Sequence, residues 1–361
     1  MFTIQHMNVD NSKVNVKTHG TMKRTEEIHQ YILDSIWDHS KSVVAKTAAA
    51  FGITRQAVNR HINNLIKDGL IIAEGNTRQR VYKLKVIDKV TLTVLLKDLE
   101  EDKFWRESFR EHLKGLPENI ISIWHYGFTE MVNNAIDHSE GTTLRVILEK
   151  TSITCHIYII DDGVGIFNKI IRELGLEDEQ HAILELAKGK LTTDPQRHTG
   201  EGIFFSSRMF DRYGIISGGV CFSHFHDEEK DWLIEPNVTG VGTVVSMMLK
   251  NNSKTTTKEI FDKFSSSDGV YGFHKTVVLV SLAKHGPEQL ISRSQAKRLL
   301  ARLEKFKEVV LDFQGVDTIG PAFADEIFRV FANSHPDVRL VSVNTNQNIK
   351  NVIDKAKTSN Q

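Results

Sequence analysis

The sequence predicts a multidomain α/β fold with an N-terminal helical part, a central α/β sandwich and a small C-terminal α/β domain. The chain has 361 residues, which exceeds the ~150 residues of a typical single domain. Apolar residues at helical spacing dominate residues 25–66, whereas strand and helix patterns alternate from residue 276 to residue 343. Between these parts, four separated segments rich in glycine or polar residues predict a binding site.

The composition limits the class of protein. Hydrophobic residues make up 40% and charged residues 25% of the chain, and 46 basic residues balance 46 acidic ones. These values are typical of a globular protein and exclude a disordered or collagen-like chain. The two cysteines, Cys155 and Cys221, lie in apolar strand-like runs, so we expect buried free thiols. The sequence has no membrane-length apolar run and no signal-peptide pattern, which predicts a cytoplasmic protein without a membrane partner.

Residues 1–20 predict a loose tail, and residues 21–86 form the first predicted domain. Three amphipathic helices and a two-stranded hairpin are expected there. Gly52 supplies the turn before the third helix, and Thr54 caps it. The predicted helices and strands cover residues 25–39, 43–51, 54–66, 70–73 and 81–84.

This order of elements, together with the run Ala-Phe-Gly-Ile-Thr-Arg-Gln-Ala-Val at residues 50–58, resembles the winged helix-turn-helix family. The resemblance implies DNA binding through the third helix and the hairpin loop. Residues 20–86 carry 11 basic and 6 acidic side chains, and the resulting charge of about +5 suits phosphates. A winged helix used for protein contacts is the alternative. The predicted DNA-binding residues are Arg55, Gln56, Asn59, Arg60, Arg78 and Arg80.

A helical connector is predicted over residues 87–118 and a central domain over residues 119–250. The long first helix of this domain carries Glu130 and Asn134 four residues apart, so both side chains lie on one face. A carboxylate beside an amide can hold a metal ion and orient a nucleophile. A helix with a polar seam is the alternative.

Three further segments of the central domain contain glycines at positions suited to a ligand. The run Asp-Asp-Gly-Val-Gly at residues 161–165 ends a strand, where glycines allow close backbone approach and an acid can accept a hydrogen bond from an exocyclic amine. Gly200 and Gly202 open a helix, whose free N–H groups bind anions. Residues 238–244 form a glycine-rich entry to a strand that contains Thr243.

The four segments, in this order and spacing, resemble the N, G1, G2 and G3 boxes of the GHKL ATP-binding family. This family includes histidine-kinase catalytic domains, anti-sigma serine kinases, and the ATPase domains of gyrase, MutL and the heat-shock chaperone. The resemblance implies an α/β sandwich that holds ATP and Mg²⁺ under a mobile lid over residues 168–199.

The resemblance also implies a role for individual residues. Asn134 matches the Mg²⁺ ligand, Glu130 the general base, and Asp161 the acceptor of the adenine amino group, which Thr243 supports. The glycines that match backbone positions around the base and phosphates are Gly163, Gly165, Gly200 and Gly202. The lid residues that are candidates to meet the γ-phosphate are Lys188, Lys190, Arg197 and His198; solvated lid charges are the alternative.

Residues 251–269 predict a linker and residues 270–361 a C-terminal domain. The run from Val309 to Glu326 resembles a STAS-like domain similar to anti-sigma-factor antagonists, which implies a protein partner. The antagonists carry a phosphorylated serine in the loop after the strand. This chain has Gly-Pro-Ala-Phe there, and Thr318 is the nearest hydroxyl, so we do not expect the neighbouring domain to phosphorylate it.

The sequence as a whole predicts a cytoplasmic regulator that binds and hydrolyses Mg·ATP and couples this pocket to DNA binding by the winged helix. Glu130 favours turnover, because a general base has a task only where water or a hydroxyl attacks. An anti-sigma-type serine/threonine kinase acting on a separate protein, or a nucleotide-binding module without turnover, are the alternatives. The oligomeric state stays open between a monomer and a homodimer.

Overall fold

The computed structural model describes residues 12–39, 42–76, 80–192, 199–225, 230–234, 242–265, 272–284 and 288–358. The chain divides into two compact units. The N-terminal unit comprises Met1–Lys89 and Glu149–Thr154, and the main unit comprises Val90–Leu148 and Cys155–Gln361. The fold is therefore the predicted multidomain α/β class, with its second and third parts packed in one unit.

The N-terminal unit has the predicted order of three helices and a hairpin. Gly52 adopts a left-handed conformation with φ of 62° after α2, and the Thr54 hydroxyl accepts from the Ala57 N–H at 3.2 Å to start α3. Residues 12–20, predicted as a tail, are instead helical. The elements are α1 Ser12–His39, α2 Val43–Phe51, α3 Arg55–Lys67, β1 Ile71–Glu74 and β2 Val81–Leu84.

The main unit is built on a seven-stranded sheet with the order β3-β4-β5-β9-β6-β7-β8. The strands are β3 Asp88–Leu95, β4 Thr143–Lys150, β5 Thr154–Asp161, β6 Arg212–Ser217, β7 Val220–Phe225, β8 Lys230–Ile234 and β9 Thr243–Lys250. The accompanying helices are α4 Glu101–Ser108, α5 Glu118–His138, α6 Ile166–Leu174, α7 Glu179–Lys188, α8 Gly202–Met209 and α9 Thr257–Phe264.

Helix α5 lies on the sheet at strands β6 and β9. The Tyr213 hydroxyl lies 3.1 Å from the Met131 sulfur, and a Cβ on Gly127 would come within 3.3 Å of the Met247 sulfur. Alternating residues of β5, from Cys155 to Asp161, are buried on the same side. This packing brings the polar face of α5 to the C-terminal end of β5 and the N-terminal end of β9.

The C-terminal α/β part, residues 275–358, contains a parallel sheet with the order β10-β11-β12. Its strands are β10 Lys275–Leu279, β11 Glu308–Asp312 and β12 Arg339–Val343. Its helices are α10 Arg293–Leu300, α11 Pro321–Asp325 with a π-helical turn Glu326–Phe331, α12 Ala332–Ser334 and α13 Gln347–Thr358. The alternation predicted from the sequence is confirmed.

Two predicted connections differ from the expectation. The connector over residues 87–118, predicted to be helical, begins instead with the strand β3, in which half-buried residues alternate with exposed ones, and becomes helical only at α4. The linker over residues 251–269 includes α9, where Thr256 and Glu259 form a capping box and Ile260 and Phe264 are buried. The polar run before Thr257 led to the prediction of an irregular linker, although the residues that follow form an amphipathic helix.

Cys155 and Cys221 are buried and form no disulfide, as predicted. Among the helices of the described residues, none has the length and apolar character to cross a bilayer.

Candidate functional site

A cavity of about 280 Å³ opens in the main unit between α5, the ends of β5 and β9, and helices α6 to α8. Six residues singled out from the sequence line it, although they come from four separated segments. These residues are Glu130, Asn134, Asp161, Gly200, Gly202 and Thr243. The chain therefore brings the predicted acid, amide and glycine groups to one place.

Asp161 ends β5 at the base of the cavity and is 8% exposed. Its Oδ1 accepts from the Gly163 N–H at 3.0 Å and from the Thr243 N–H at 3.2 Å. Burial raises the pKa of Asp161, while these hydrogen bonds and the Thr243 hydroxyl act in the opposite direction. The Thr243 hydroxyl in turn accepts from the Ile166 N–H at 3.0 Å. The carboxyl group is thus fixed in direction by backbone donors.

Gly163 and Gly165 lie next to Asp161 in the chain but do not line the cavity. A Cβ on Gly163 would lie 2.0 Å from the Ser139 carbonyl oxygen, so the strand end rests on the end of α5. Gly165 has φ of 86° and precedes α6. Gly163 thus fixes the position of Asp161 relative to α5, whereas a Cβ on Gly165 would meet Ser217 Oγ at 2.5 Å and the Gly242 carbonyl oxygen at 3.3 Å.

Glu130 lies against the first turn of α8. A Cβ on Gly202 would fall 1.9 Å from Glu130 Oε2, so a larger residue there would displace this carboxylate. The start of a helix favours negative charge, and the same place suits a phosphate oxygen. Asn134 lies one turn further along α5, and its Nδ2 is 3.9 Å from the Met131 sulfur.

A magnesium ion would need more oxygen ligands than this site supplies alone. Within the described residues, no three of His, Cys, Asp and Glu converge as metal ligands. Mg²⁺ is commonly held by one or two protein groups together with substrate phosphates. The amide oxygen of Asn134 beside a glycine-lined helix start fits that mode of binding.

Lys188 does not line the cavity, which corrects its predicted contact with a phosphate. It is 1% exposed, and its Nζ donates to Glu185 Oε1 at 2.6 Å and to the carbonyl oxygens of Arg298 and Ala301 at 3.0 and 2.9 Å. Burial lowers the pKa of Lys188 to about 8. Lys190 does not line the cavity either, because its Nζ donates to the Lys305 carbonyl oxygen at 3.0 Å. The remaining lid candidates, Arg197 and His198, lie outside the described residues, as does the wing residue Arg78.

Lys169 is a cavity residue that the sequence analysis missed. Its side chain is 14% exposed, and its ammonium lies 3.3 Å from Glu140 Oε1. Ile166 and Ile170 line the same wall at helical spacing. The signal was present, because Lys169 falls in the first turn after Gly165 and between these two apolar residues.

In the N-terminal unit, α3 has one buried and one exposed face. Val58, Ile62 and Leu65 are buried against the core. The predicted DNA-binding side chains on this helix, Arg55, Gln56, Asn59 and Arg60, are all exposed, as is Arg80 after the hairpin loop. Asn63 continues the same exposed stripe and was not predicted.

Two histidines, one on α1 and one on α3, contact each other where the two helices pack. The rings of His29 and His61 meet edge to face at 5.2 Å, and His29 Nε2 and His61 Nδ1 are buried without hydrogen-bond partners. Burial lowers the pKa of both residues, with Asp68 opposing the effect at His29 and His29 adding to it at His61. Both rings are therefore neutral in the folded unit near pH 7.

We expect the N-terminal unit to lose stability as pH falls below about 6.5, because the unfolded chain then binds protons that the folded unit resists. His61→Gln should flatten this dependence. Hydrogen exchange of peptides from α1 and α3 at about pH 7.5 and about pH 5.5 measures the effect. His335→Gln, which removes a ring stacked on Phe331 in the main unit, is the control. An equal acid loss in both variants would contradict the assignment.

The fold defines a multidomain α/β protein with an N-terminal winged helix-turn-helix unit. Comparisons with known families agree at both ends of the chain. A model described as winged helix-turn-helix DNA-binding matches residues 26–72, and a model described as a STAS-like domain of unknown function matches residues 295–350. No curated protein matches the chain. The predicted winged helix and STAS-like domain are confirmed, and neither match extends over residues 119–250.

Proposed function

We propose that this protein is a regulator that binds Mg·ATP in the cavity of the main unit and DNA through its winged helix. The observation that carries the proposal is the buried Asp161 carboxyl at the base of a cavity whose other end holds Glu130, Asn134 and two glycines. The GHKL-like order of these segments supports the same reading. ATP hydrolysis at Glu130 is part of the proposal.

Adenine suits the base of this cavity because Asp161 offers a hydrogen-bond acceptor. The exocyclic amine of adenine donates, whereas guanine presents a carbonyl oxygen at the same place and would leave two acceptors facing each other. A buried acceptor without a donor costs about 1–3 kcal/mol. Apolar contacts for the ring are available from Ile159, Ile166 and Ile170.

The phosphates would occupy the opposite end, at the start of α8. Gly200 and Gly202 leave backbone N–H groups accessible to oxygen atoms, and the helix dipole favours negative charge there. When bound, Mg²⁺ would neutralise part of the phosphate charge, with the amide oxygen of Asn134 as a ligand. Glu130 would accept a proton from the attacking water.

A direct test is calorimetric titration of the full chain with Mg·ATP and with Mg·GTP, together with measurement of phosphate release. We expect binding of ATP in preference to GTP, and turnover that Glu130→Gln abolishes while binding persists. Binding without release would identify a nucleotide-binding module, and label transfer to a partner hydroxyl a kinase. Failure to bind either nucleotide would refute the proposed pocket.

For the winged helix, we expect the double substitution Arg55→Ala and Arg60→Ala to weaken DNA binding by roughly 10- to 100-fold. Both side chains are exposed on α3, so the fold should persist. Fluorescence anisotropy with a labelled duplex of mixed sequence, measured over a salt series, should also show a slope reduced by about 2 if both residues contact phosphates.

The matched control removes two arginines from the main unit, Arg106→Ala with Arg339→Ala. These side chains form exposed ion pairs with Asp102 and Glu308. Equal losses in the two double variants would show that overall charge, and not α3, governs binding.

A further inference from the structure

We propose that the C-terminal α/β part regulates the nucleotide cavity by clamping the segment 185–191, one side of which lines that cavity. The inference rests on the proposed function and adds its regulation. We call the clamp the set of contacts that Glu185, Lys188 and Lys190 make with residues 298–305. These contacts all lie within the main unit.

The centre of the clamp is a buried ionic cluster. Glu185 is 1% exposed; its Oε1 accepts from Lys188 Nζ at 2.6 Å and its Oε2 from Arg302 Nη1 at 3.0 Å. Lys188 also donates to the Arg298 and Ala301 carbonyl oxygens, which belong to the last turn and C-cap of α10. Such carbonyls lack partners within the helix, and a cation at this end is favourable. The C-terminal part is thus tied to α7 by complementary charges.

Further hydrogen bonds extend the clamp along the chain towards the cavity. Arg302 Nη2 donates to the Lys190 carbonyl oxygen, and Lys190 Nζ donates to the Lys305 carbonyl oxygen at 3.0 Å. The Thr276 hydroxyl donates to the Lys188 carbonyl oxygen at 2.7 Å. Backbone and side chain are therefore both held over residues 188–190.

The other side of the same segment faces the ligand site. Leu186, Leu191 and Thr192 line the cavity. A Cβ on Gly200 would lie 2.4 Å from the Leu191 carbonyl oxygen, so the loop proposed to hold phosphate rests directly on Leu191. Lys190, whose carbonyl oxygen is bonded to Arg302, is followed directly by Leu191, which supports Gly200. A shift of the clamp must therefore move the wall of the cavity.

The physical basis of regulation is a pair of states, with the C-terminal part docked or released. Removing the Arg302 guanidinium leaves Glu185 Oε2 and the Lys190 carbonyl oxygen without this donor, which favours release. A nucleotide that binds better to the docked state is weakened by release, and by linkage it strengthens docking to the same extent.

The first arm of the test uses hydrogen exchange on the full chain without nucleotide. Arg302→Gln should accelerate exchange in peptides covering residues 183–192 and 199–205. The matched control is Arg339→Gln, the same change in the same part, where the guanidinium pairs with Glu308 and is 76% exposed. Unchanged exchange of both peptides in Arg302→Gln would overturn the clamp.

The second arm measures Mg·ATP affinity by calorimetry. We expect a loss of about 10-fold in Arg302→Gln, within the usual range of coupling between sites, and none in Arg339→Gln. Should Arg302→Gln fail to fold, Arg302→Lys, which keeps the positive charge but lacks the fork that bonds both Glu185 and the Lys190 carbonyl oxygen, takes its place.

Full affinity despite accelerated exchange would overturn the coupling to nucleotide while leaving the proposed pocket intact. If the wild-type protein binds no nucleotide, the proposed function fails, and the coupling to nucleotide fails with it; the exchange arm then decides separately whether the clamp holds the cavity wall.

Discussion

Gly163→Ala is expected to destabilise the main unit by about 3 kcal/mol or more, at the upper end of the usual cost of overpacking. The added methyl would lie 2.0 Å from the Ser139 carbonyl oxygen and 2.6 Å from its carbon. Both atoms belong to the backbone at the end of α5, so no side-chain rotation relieves the contact. Thermal unfolding followed by circular dichroism measures the loss.

The same substitution should also abolish Mg·ATP binding at temperatures where the protein stays folded. The Gly163 N–H donates to Asp161 Oδ1 at 3.0 Å, and Val164 donates to the Ser139 carbonyl oxygen at 2.9 Å. Any movement that makes room for the methyl turns the carboxyl group away from the cavity.

Gly214→Ala is the matched control for this substitution. It lies inside β6, where a methyl would meet its nearest atom, Ser223 Oγ, at an ordinary 3.5 Å. Alanine is also better than glycine within a strand, so we expect unchanged or slightly raised stability. If Gly163→Ala matched this control, the close approach between β5 and α5 would be wrong.

The winged helix was predictable because local signals determine its elements. A left-handed Gly52, a Thr54 cap and apolar residues at helical spacing fix α2 and α3 without reference to the remainder of the chain. The cavity residues were predictable for a different reason. Asp161 and Thr243 are far apart in sequence, and only the order of four motifs indicated that they meet.

The error at Lys188 shows what the sequence does not contain. A lysine next to a glycine at the end of a helix has the same local pattern whether it faces a ligand or the interior. The choice is made by α10, more than a hundred residues later, whose terminal carbonyls attract the ammonium. The strand β3 was missed for a similar reason. Its alternation of half-buried and exposed residues indicates a strand only when the neighbouring edge of the sheet is known.

Asp161→Asn is expected to weaken Mg·ATP binding by one to two orders of magnitude while the fold is kept. An amide oxygen can still accept from the Gly163 and Thr243 N–H groups, but the amide nitrogen then meets the adenine amine as donor against donor. Calorimetric titration of the variant with Mg·ATP measures the loss.

The effect on stability should have the opposite sign. Because burial raises the pKa of Asp161, the folded protein binds its proton more tightly than the unfolded chain, and the charged form costs stability at neutral pH. A neutral amide removes that cost, so the melting temperature should be unchanged or higher. Loss of binding together with retained stability is the pattern expected of a site that evolved for a ligand.

The adjacent Asp162→Asn is the control that separates the two roles. The Asp162 carboxylate accepts from the N–H and hydroxyl groups of Thr142 and Thr143 at 2.7 to 2.9 Å, and these bonds hold its pKa well below the usual range. Its stabilising effect is present above about pH 4 and is lost in acid, so Asp162→Asn should lower the melting temperature at neutral pH.

Because Asp162 is absent from the cavity lining, Asp162→Asn should leave Mg·ATP affinity close to that of the wild-type protein. Two neighbouring carboxylates are then expected to give opposite pairs of results, one losing the ligand and the other losing stability. If Asp161→Asn bound Mg·ATP as tightly as the wild-type protein, the buried carboxyl would have no part in recognition, and the adenine assignment would fall with it.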